Sequence, residues 1–259
     1  MERLMKIPKE IWNDFFDFRT ACRNNRVFPE CSFISHIIAQ LPKIEESICA
    51  GSKYYRARVY KNSFPDYFLE QSGKVMNDNK NEYQHLLELH LGIDKLKAQR
   101  NAGFKGYDEA GSFVCPDAKS ILPGRCNHVN EQCLYMAEDV ETAISEIKPL
   151  IREKVSVGCI EVQEALRIVD FSFNSSHSPI TQLVAFLFVT SPTLEEYDIY
   201  TYTQIICSLI KKEGYDGVKY TSCQNLEKSN YAIFSFDKCK AISSDVYEVS
   251  AIAYRCTKD

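Results

Sequence analysis

No stretch of this 259-residue chain reaches the roughly 18 consecutive apolar residues that a membrane-spanning helix requires. The opening residues, Met1-Glu2-Arg3-Leu4-Met5-Lys6-Ile7-Pro8, lack the apolar run of a secretory signal. These two absences predict a soluble cytoplasmic protein with no membrane partner. The 11 cysteines, scattered from Cys22 to Cys256, include no C-x-x-C pair, which argues against a zinc site or a disulfide frame and for reduced thiols. Positive charge is not in excess either. A net charge of −4 gives no electrostatic footprint for nucleic acid. No G-x-G-x-x-G follows a strand pattern, so a dinucleotide, if one binds, does not bind in the Rossmann manner. His85 and His90 lie five apart, off a shared helical face, and make no metal pair. Repeats, low-complexity tracts and Ser/His or Cys/His nucleophile arrangements are also missing.

What is present is ordinary globular composition, 45% hydrophobic and 25% charged. Residues 8–50 show helical periodicity. Ile11, Phe15 and Phe18 share one face; Phe33, Ile34, Ile37, Ile38, Leu41, Ile44 and Ile48 predict a second helix closed by Gly51. Lys53 to Tyr60 alternates like a strand, with Arg56 and Arg58 on one face and Tyr55, Ala57 and Val59 on the other. Residues 61–112 read as a polar insertion with a helix at Tyr83–Gln99 and a loop around Gly103, Gly106, Gly111 and Pro116. Further strands are predicted at 155–162, 166–171, 218–222, 231–236 and 246–254, and helices at 180–189 and 201–212. Strands separated by few helices predict an α+β fold. The chain divides into an N-terminal helical region, 1–52, and a main domain, 53–259.

The stretch from Gly124 to Glu146 carries the chemistry. It reads as loop, strand and helix: Gly124-Arg125-Cys126-Asn127, then Cys133–Ala137, then a helix capped by Asp139 with Val140, Ala143, Ile144, Ile147 and Ile151 on one face. Glu146 falls at the border of that face, beside Leu150. An arginine suits phosphate, a tyrosine ring packs on a cationic heterocycle, and a carboxylate faces a ribose hydroxyl or an oxocarbenium carbon. A surface ion pair of Arg125 with Glu146, and Tyr135 in the core, fits the same spacing.

The run Gly124-Arg125-Cys126-Asn127 followed by Leu134-Tyr135-Met136-Ala137-Glu138-Asp139-Val140-Glu141-Thr142-Ala143-Ile144-Ser145-Glu146 resembles the signature of the RES family, departing mainly at Cys126 and in having no Pro-Gly after Asn127. Tyr54-Tyr55-Arg56-Ala57-Arg58 resembles the family's first arginine strand, and Tyr202-Thr203-Gln204, Gly214–Ser222 and Asn230-Tyr231 resemble its serine segment. The similarity spans roughly residues 53–254.

The resemblance implies an ADP-ribosyltransferase-like mixed sheet core and an enzyme that consumes NAD, as a glycohydrolase or a phosphorylase. It further implies a toxin of a toxin–antitoxin or defence system. NAD is then substrate, and no further cofactor is implied. Inorganic phosphate, an antitoxin and a second copy of the chain are the other partners it suggests. Glu146, Arg56 and Tyr135 become the catalytic candidates. Arg56, Arg125, Asn127, Tyr135, Ser222, Gln204 and Asn230 become the NAD-binding ones. Two alternatives stay open: an ADP-ribosyltransferase that modifies a macromolecule, its acceptor docked by residues 61–112, and an inactive NAD-binding module.

Overall fold

Strand pairing sets the architecture of the molecule, seen here as a computed structural model that describes residues 7–24, 31–61, 92–114, 117–174, 178–190 and 198–253. Eight strands form one sheet: β1 (Glu45–Ile48), β2 (Lys53–Val59), β3 (Leu134–Ala137), β4 (Lys154–Val162), β5 (Leu166–Phe171), β6 (Gly217–Thr221), β7 (Ser229–Ile233) and β8 (Cys239–Glu248). Their spatial order is β1-β5-β6-β7-β3-β2-β4-β8. Only β5 and β6 run parallel, and the chain between them forms two helices, α6 (Pro179–Val189) and α7 (Asp198–Lys212). The fold is therefore α+β with a mixed sheet, as the strand-rich sequence predicts. β2 and β3 share a single paired position, Tyr55 with Ala137.

Five further α-helices lie among the described residues: α1 (Lys9–Asn24), α2 (Ser32–Gln40), α3 (Ile93–Asn101), α4 (Glu109–Ser112) and α5 (Val140–Glu146). One sheet face packs against α1, α2, α6 and α7 through Phe18, Phe33, Phe171, Phe188, Ile206 and Val218, all buried. The Phe18 and Phe33 rings stack at 5.0 Å, so the N-terminal aromatic stripe is core. Each such ring contributes about 1.5–3 kcal/mol by leaving water. The opposite face buries Phe104, Met136, Ile160, Ile168, Tyr231 and Ile233.

Several predicted boundaries differ. The second N-terminal helix stops at Gln40, because Pro42 sits in the 3-10 turn Leu41–Lys43 that follows. Beyond that turn the chain forms a strand, β1, which contains Ile48 and pairs antiparallel with β5. Gly51, at φ +84°, serves the β1–β2 turn rather than a helix end. α5 ends at Glu146, and Ile151 is 57% exposed rather than on an inward face. Pro149 accounts for that early end, since a proline excludes helical backbone just before it. The penultimate strand is Ser229–Ile233, and the last begins at Cys239 and ends at Glu248. The predicted helix at 83–99 is described only from Ile93, where α3 begins; His85, His90 and Pro116 lie outside the described residues. No described helix is long and apolar enough to cross a membrane. All nine described cysteines are unbridged.

Asp216 joins three segments ahead of β6. Its carboxylate accepts the Arg167 N–H and the Lys238 ammonium, each at 2.8 Å, while its carbonyl accepts the Phe234 N–H at 2.7 Å. Burial pushes its pKa up, but the Arg167 N–H and Lys238 together hold it below the ordinary carboxylate value. A depressed folded-state pKa contributes stability above the unfolded value of about 4 and loses it as pH falls through the folded value. Asp216→Asn should therefore lower unfolding stability by about 1–3 kcal/mol at pH 7. In urea titrations across pH, the gap between variant and wild type should close on acidification below pH about 4.

Candidate active site

Glu146 is the last residue of α5, and the start of that helix is fixed from two sides. The Asp139 side chain accepts the Thr142 N–H at 2.8 Å as an N-cap. Lys228, just before β7, bridges Glu138 at 2.9 Å and Asp139 at 3.2 Å. Burial pushes the Asp139 pKa up, and the Thr142 and Lys228 contacts more than offset it, leaving the group below its ordinary value. At the other end of the helix, Glu146 meets residues of β7 and of the turn after β6.

There Oε1 of Glu146 accepts two hydrogen bonds, from the Ser222 hydroxyl at 2.5 Å and from the Asn230 amide at 2.7 Å. Both donors are buried. Ser222 Oγ also accepts the N–H groups of Gln224 and Asn225, each at 3.1 Å. Its one proton is thus committed to Glu146, which makes Ser222 a positioning residue and not a donor to a ligand. Among the described residues, no group hydrogen-bonds Oε2 of Glu146.

The Gly124–Asn127 loop is a second polar assembly. Asn127 donates to the carbonyls of Leu122 at 3.1 Å and His128 at 2.8 Å and accepts the Tyr135 hydroxyl at 2.8 Å. That hydroxyl accepts the Cys126 N–H at 2.8 Å. From α7, Gln204 donates to the Gly124 carbonyl at 2.7 Å and Thr203 to the Arg125 carbonyl at 2.6 Å. The loop's outcome is the placement of Arg125, which is 8% exposed. Its Nη1 donates to the carbonyls of Leu187 at 3.3 Å and Thr190 at 2.9 Å, at the C-terminal end of α6, and its guanidinium lies 5.1 Å from the Tyr200 ring centre. A cation is well placed at that negative helix end.

Between these assemblies lies a cleft of about 350 Å³. Arg56, Arg125, Tyr135, Glu146 and Asn230 line it, so five of the sequence-predicted residues converge. Arg56 lies on β2 next to its one paired position with β3, and it donates to the Tyr135 carbonyl at 3.0 Å. Arg58 donates to the Phe113 carbonyl at 2.7 Å and is not part of the lining. Asn127, Gln204 and Ser222 stand behind the walls, where their side chains hold the loop and the carboxylate. Burial pushes the phenol pKa of Tyr135 and of Tyr220 well above the ordinary value, so both rings face the cleft as neutral phenols. Tyr55, Lys148, Tyr200 and Tyr220 also line the cleft, and sequence reasoning did not select them. Alternation along β2 already separated Tyr55 from Arg56; nothing local marked Tyr200, whose role arises from α7 lying against Arg125. No three of the described His, Cys, Asp or Glu residues are grouped so as to hold a metal ion.

A family model described as the RES domain matches residues 103–257. No curated protein matches the chain. Among solved structures, it is similar to a chain in the crystal structure of the M. tuberculosis MbcT-MbcA toxin-antitoxin complex, with 11% identity, a TM-score of 0.43, and coverage of 86% of this chain and 96% of that one.

Gly124 is required by close approach. A Cβ there would stand 2.5 Å from Oδ1 of Asn127 and 2.7 Å from the Tyr135 hydroxyl, two atoms already bonded to each other. Gly124→Ala should lower stability by about 1–3 kcal/mol, the usual scale for overpacking. Urea denaturation checks this, and a loss near zero would show that the loop yields freely.

Proposed function

The chain belongs to the RES domain family, and we propose that it cleaves the bond between nicotinamide and ribose in NAD, passing the ADP-ribose to water or to phosphate. The observation that carries this reading is the held carboxylate: Glu146 takes two hydrogen bonds from buried residues on one oxygen and lines the same cleft as Arg56 and Arg125. One carboxylate is sufficient for such a reaction. A glycosidase needs a second carboxyl to protonate its leaving group, whereas nicotinamide is cationic in NAD and departs neutral.

In this reading Arg125, and Arg56 beside it, grip the pyrophosphate, and Tyr135 packs on the nicotinamide ring. Glu146 holds a ribose hydroxyl and stabilises the positive charge that develops at the ribose carbon as the C–N bond lengthens. The bonding pair goes to the ring nitrogen. The acceptor oxygen then forms its bond to the ribose carbon, and an acceptor that carried a proton, such as water, releases it. Ser222 and Asn230 keep the carboxylate still, so no reorganisation is needed when the charge appears. The family resemblance extends the proposal to physiology: a toxin that drains cellular NAD and is restrained by an antitoxin protein.

Incubating the purified protein with NAD and following both products tests the reading. Free ADP-ribose identifies water as acceptor, a phosphorylated ADP-ribose identifies phosphate, and ADP-ribose bound to protein identifies a transferase. Absence of nicotinamide release removes the proposal altogether.

The Glu146→Gln variant sharpens the test, because the amide oxygen can still accept from Ser222 and Asn230 while the negative charge is gone. Nicotinamide release should fall by at least about 10²-fold, the scale for removing one preorganised electrostatic group. NAD binding and melting temperature should change little, since the lost interaction matters only at the transition state. Near wild-type turnover in a folded Glu146→Gln protein would rule out the mechanism.

Strong expression of the wild-type chain without an antitoxin should lower cellular NAD and slow growth together, and Glu146→Gln should do neither. Unchanged NAD in cells that make active enzyme would dismiss the toxin role and leave the chemistry standing.

A further inference from the structure

Two residues beyond Glu146, Lys148 lines the same cleft with its backbone left-handed, at φ +48°. That conformation is adopted readily by glycine and at a cost by a lysine. Lys148 closes α5, and its N–H still donates to the Ser145 carbonyl at 3.2 Å. A glycine is the usual residue at this point of a helix end. The following Pro149 does not account for the choice, because proline steers its predecessor to extended backbone rather than to the left-handed region.

The side chain is distinctive among the cleft's cations. Arg56 is engaged with the Tyr135 carbonyl, and Arg125 with two carbonyls and the Tyr200 ring. Among the described residues, the Lys148 ammonium makes no hydrogen bond or ion pair. A strained backbone that presents an uncommitted cation to a cleft is the pattern expected of a residue retained for binding at some cost to stability.

We infer that Lys148 is a specificity-determining residue that swings onto an anionic phosphate oxygen of the ligand and selects for pyrophosphate-bearing molecules. This rests on the NAD reading for the identity of the ligand, though not for its charge. A lysine suits the task because its ammonium is a point charge on a flexible stem and can follow a ligand oxygen, while the arginines stay fixed. The competing role is purely structural, a cation set against the negative end of α5.

Lys148→Gly separates the two. Released from backbone strain, the variant should melt higher than wild type in the absence of ligand. Its KM for NAD should rise about tenfold or more, the scale of a lost charge-assisted hydrogen bond, with kcat changed far less. Inorganic pyrophosphate at low salt should raise the melting temperature of the wild type and of Lys148→Arg, and do so far less for Lys148→Gly, which keeps only the two arginines. A lower melting temperature for unliganded Lys148→Gly, equal protection of all three proteins, or no protection of the wild type would each overturn the assignment. If the wild type releases no nicotinamide, the NAD reading fails by itself, and the pyrophosphate comparison still decides the role of Lys148.

Discussion

A carboxylate drawn partly out of water has to be given hydrogen bonds, or its charge is expelled by protonation or by movement. Glu146 receives two on one oxygen, and much of the surrounding structure serves to deliver them. Asn230 is fixed by pairing with Ala137 of β3 on one side and Tyr220 of β6 on the other. Ser222 follows β6 directly, where its N–H donates to the Lys228 carbonyl at 2.8 Å. Lys228 in turn reaches back to Glu138 and Asp139 at the start of α5. Both ends of that seven-residue helix are therefore tied to the β6–β7 turn and β7. A helix so short has little stability of its own, so these tertiary ties are what hold its last residue in place.

The parts that the sequence made legible are those with local causes. Asp139 caps a helix because its carboxylate lies next to three free N–H groups, and the alternation in Lys53–Val59 reflects the pleat of one strand. β1 was not legible, because Ile48 continues the helical spacing of Leu41 and Ile44, and only pairing with β5 selects the extended form from Glu45 onward. The end of α5 was misplaced for the opposite reason. Apolar residues at 147 and 151 continue the helical period, while backbone chemistry at Pro149 stops it. Periodicity reports which residues can share a face, and it is silent on whether the backbone can continue.

The site was legible in its membership more than in its roles. Asn127, Gln204 and Ser222 are polar residues inside recognisable motifs, and a motif does not distinguish a side chain that touches ligand from one that supports its neighbour. Donor and acceptor capacity does. Asn127 spends both amide protons on two carbonyls and accepts from Tyr135, and Ser222 spends its only proton on Glu146, so neither retains a proton to offer. Such residues set the geometry of the walls, and a substitution at one of them acts through Arg125 or Glu146.

The ionisation pattern of the cleft follows from this arrangement. Burial keeps Tyr135 and Tyr220 protonated, so neither serves as a base near neutral pH, and among the described residues Glu146 is the one carboxylate in the lining. Arg56, Arg125 and Lys148 supply positive charge to the same volume. A ligand that carries anionic phosphates at one end and a developing positive charge at the other is complementary to both signs at once. A ligand with either feature alone leaves one set of charges desolvated without compensation. Selectivity in such a cleft therefore comes from the pairing of opposite charges along one molecule, and among the described residues the left-handed Lys148 brings a third cation to a lining that holds one carboxylate.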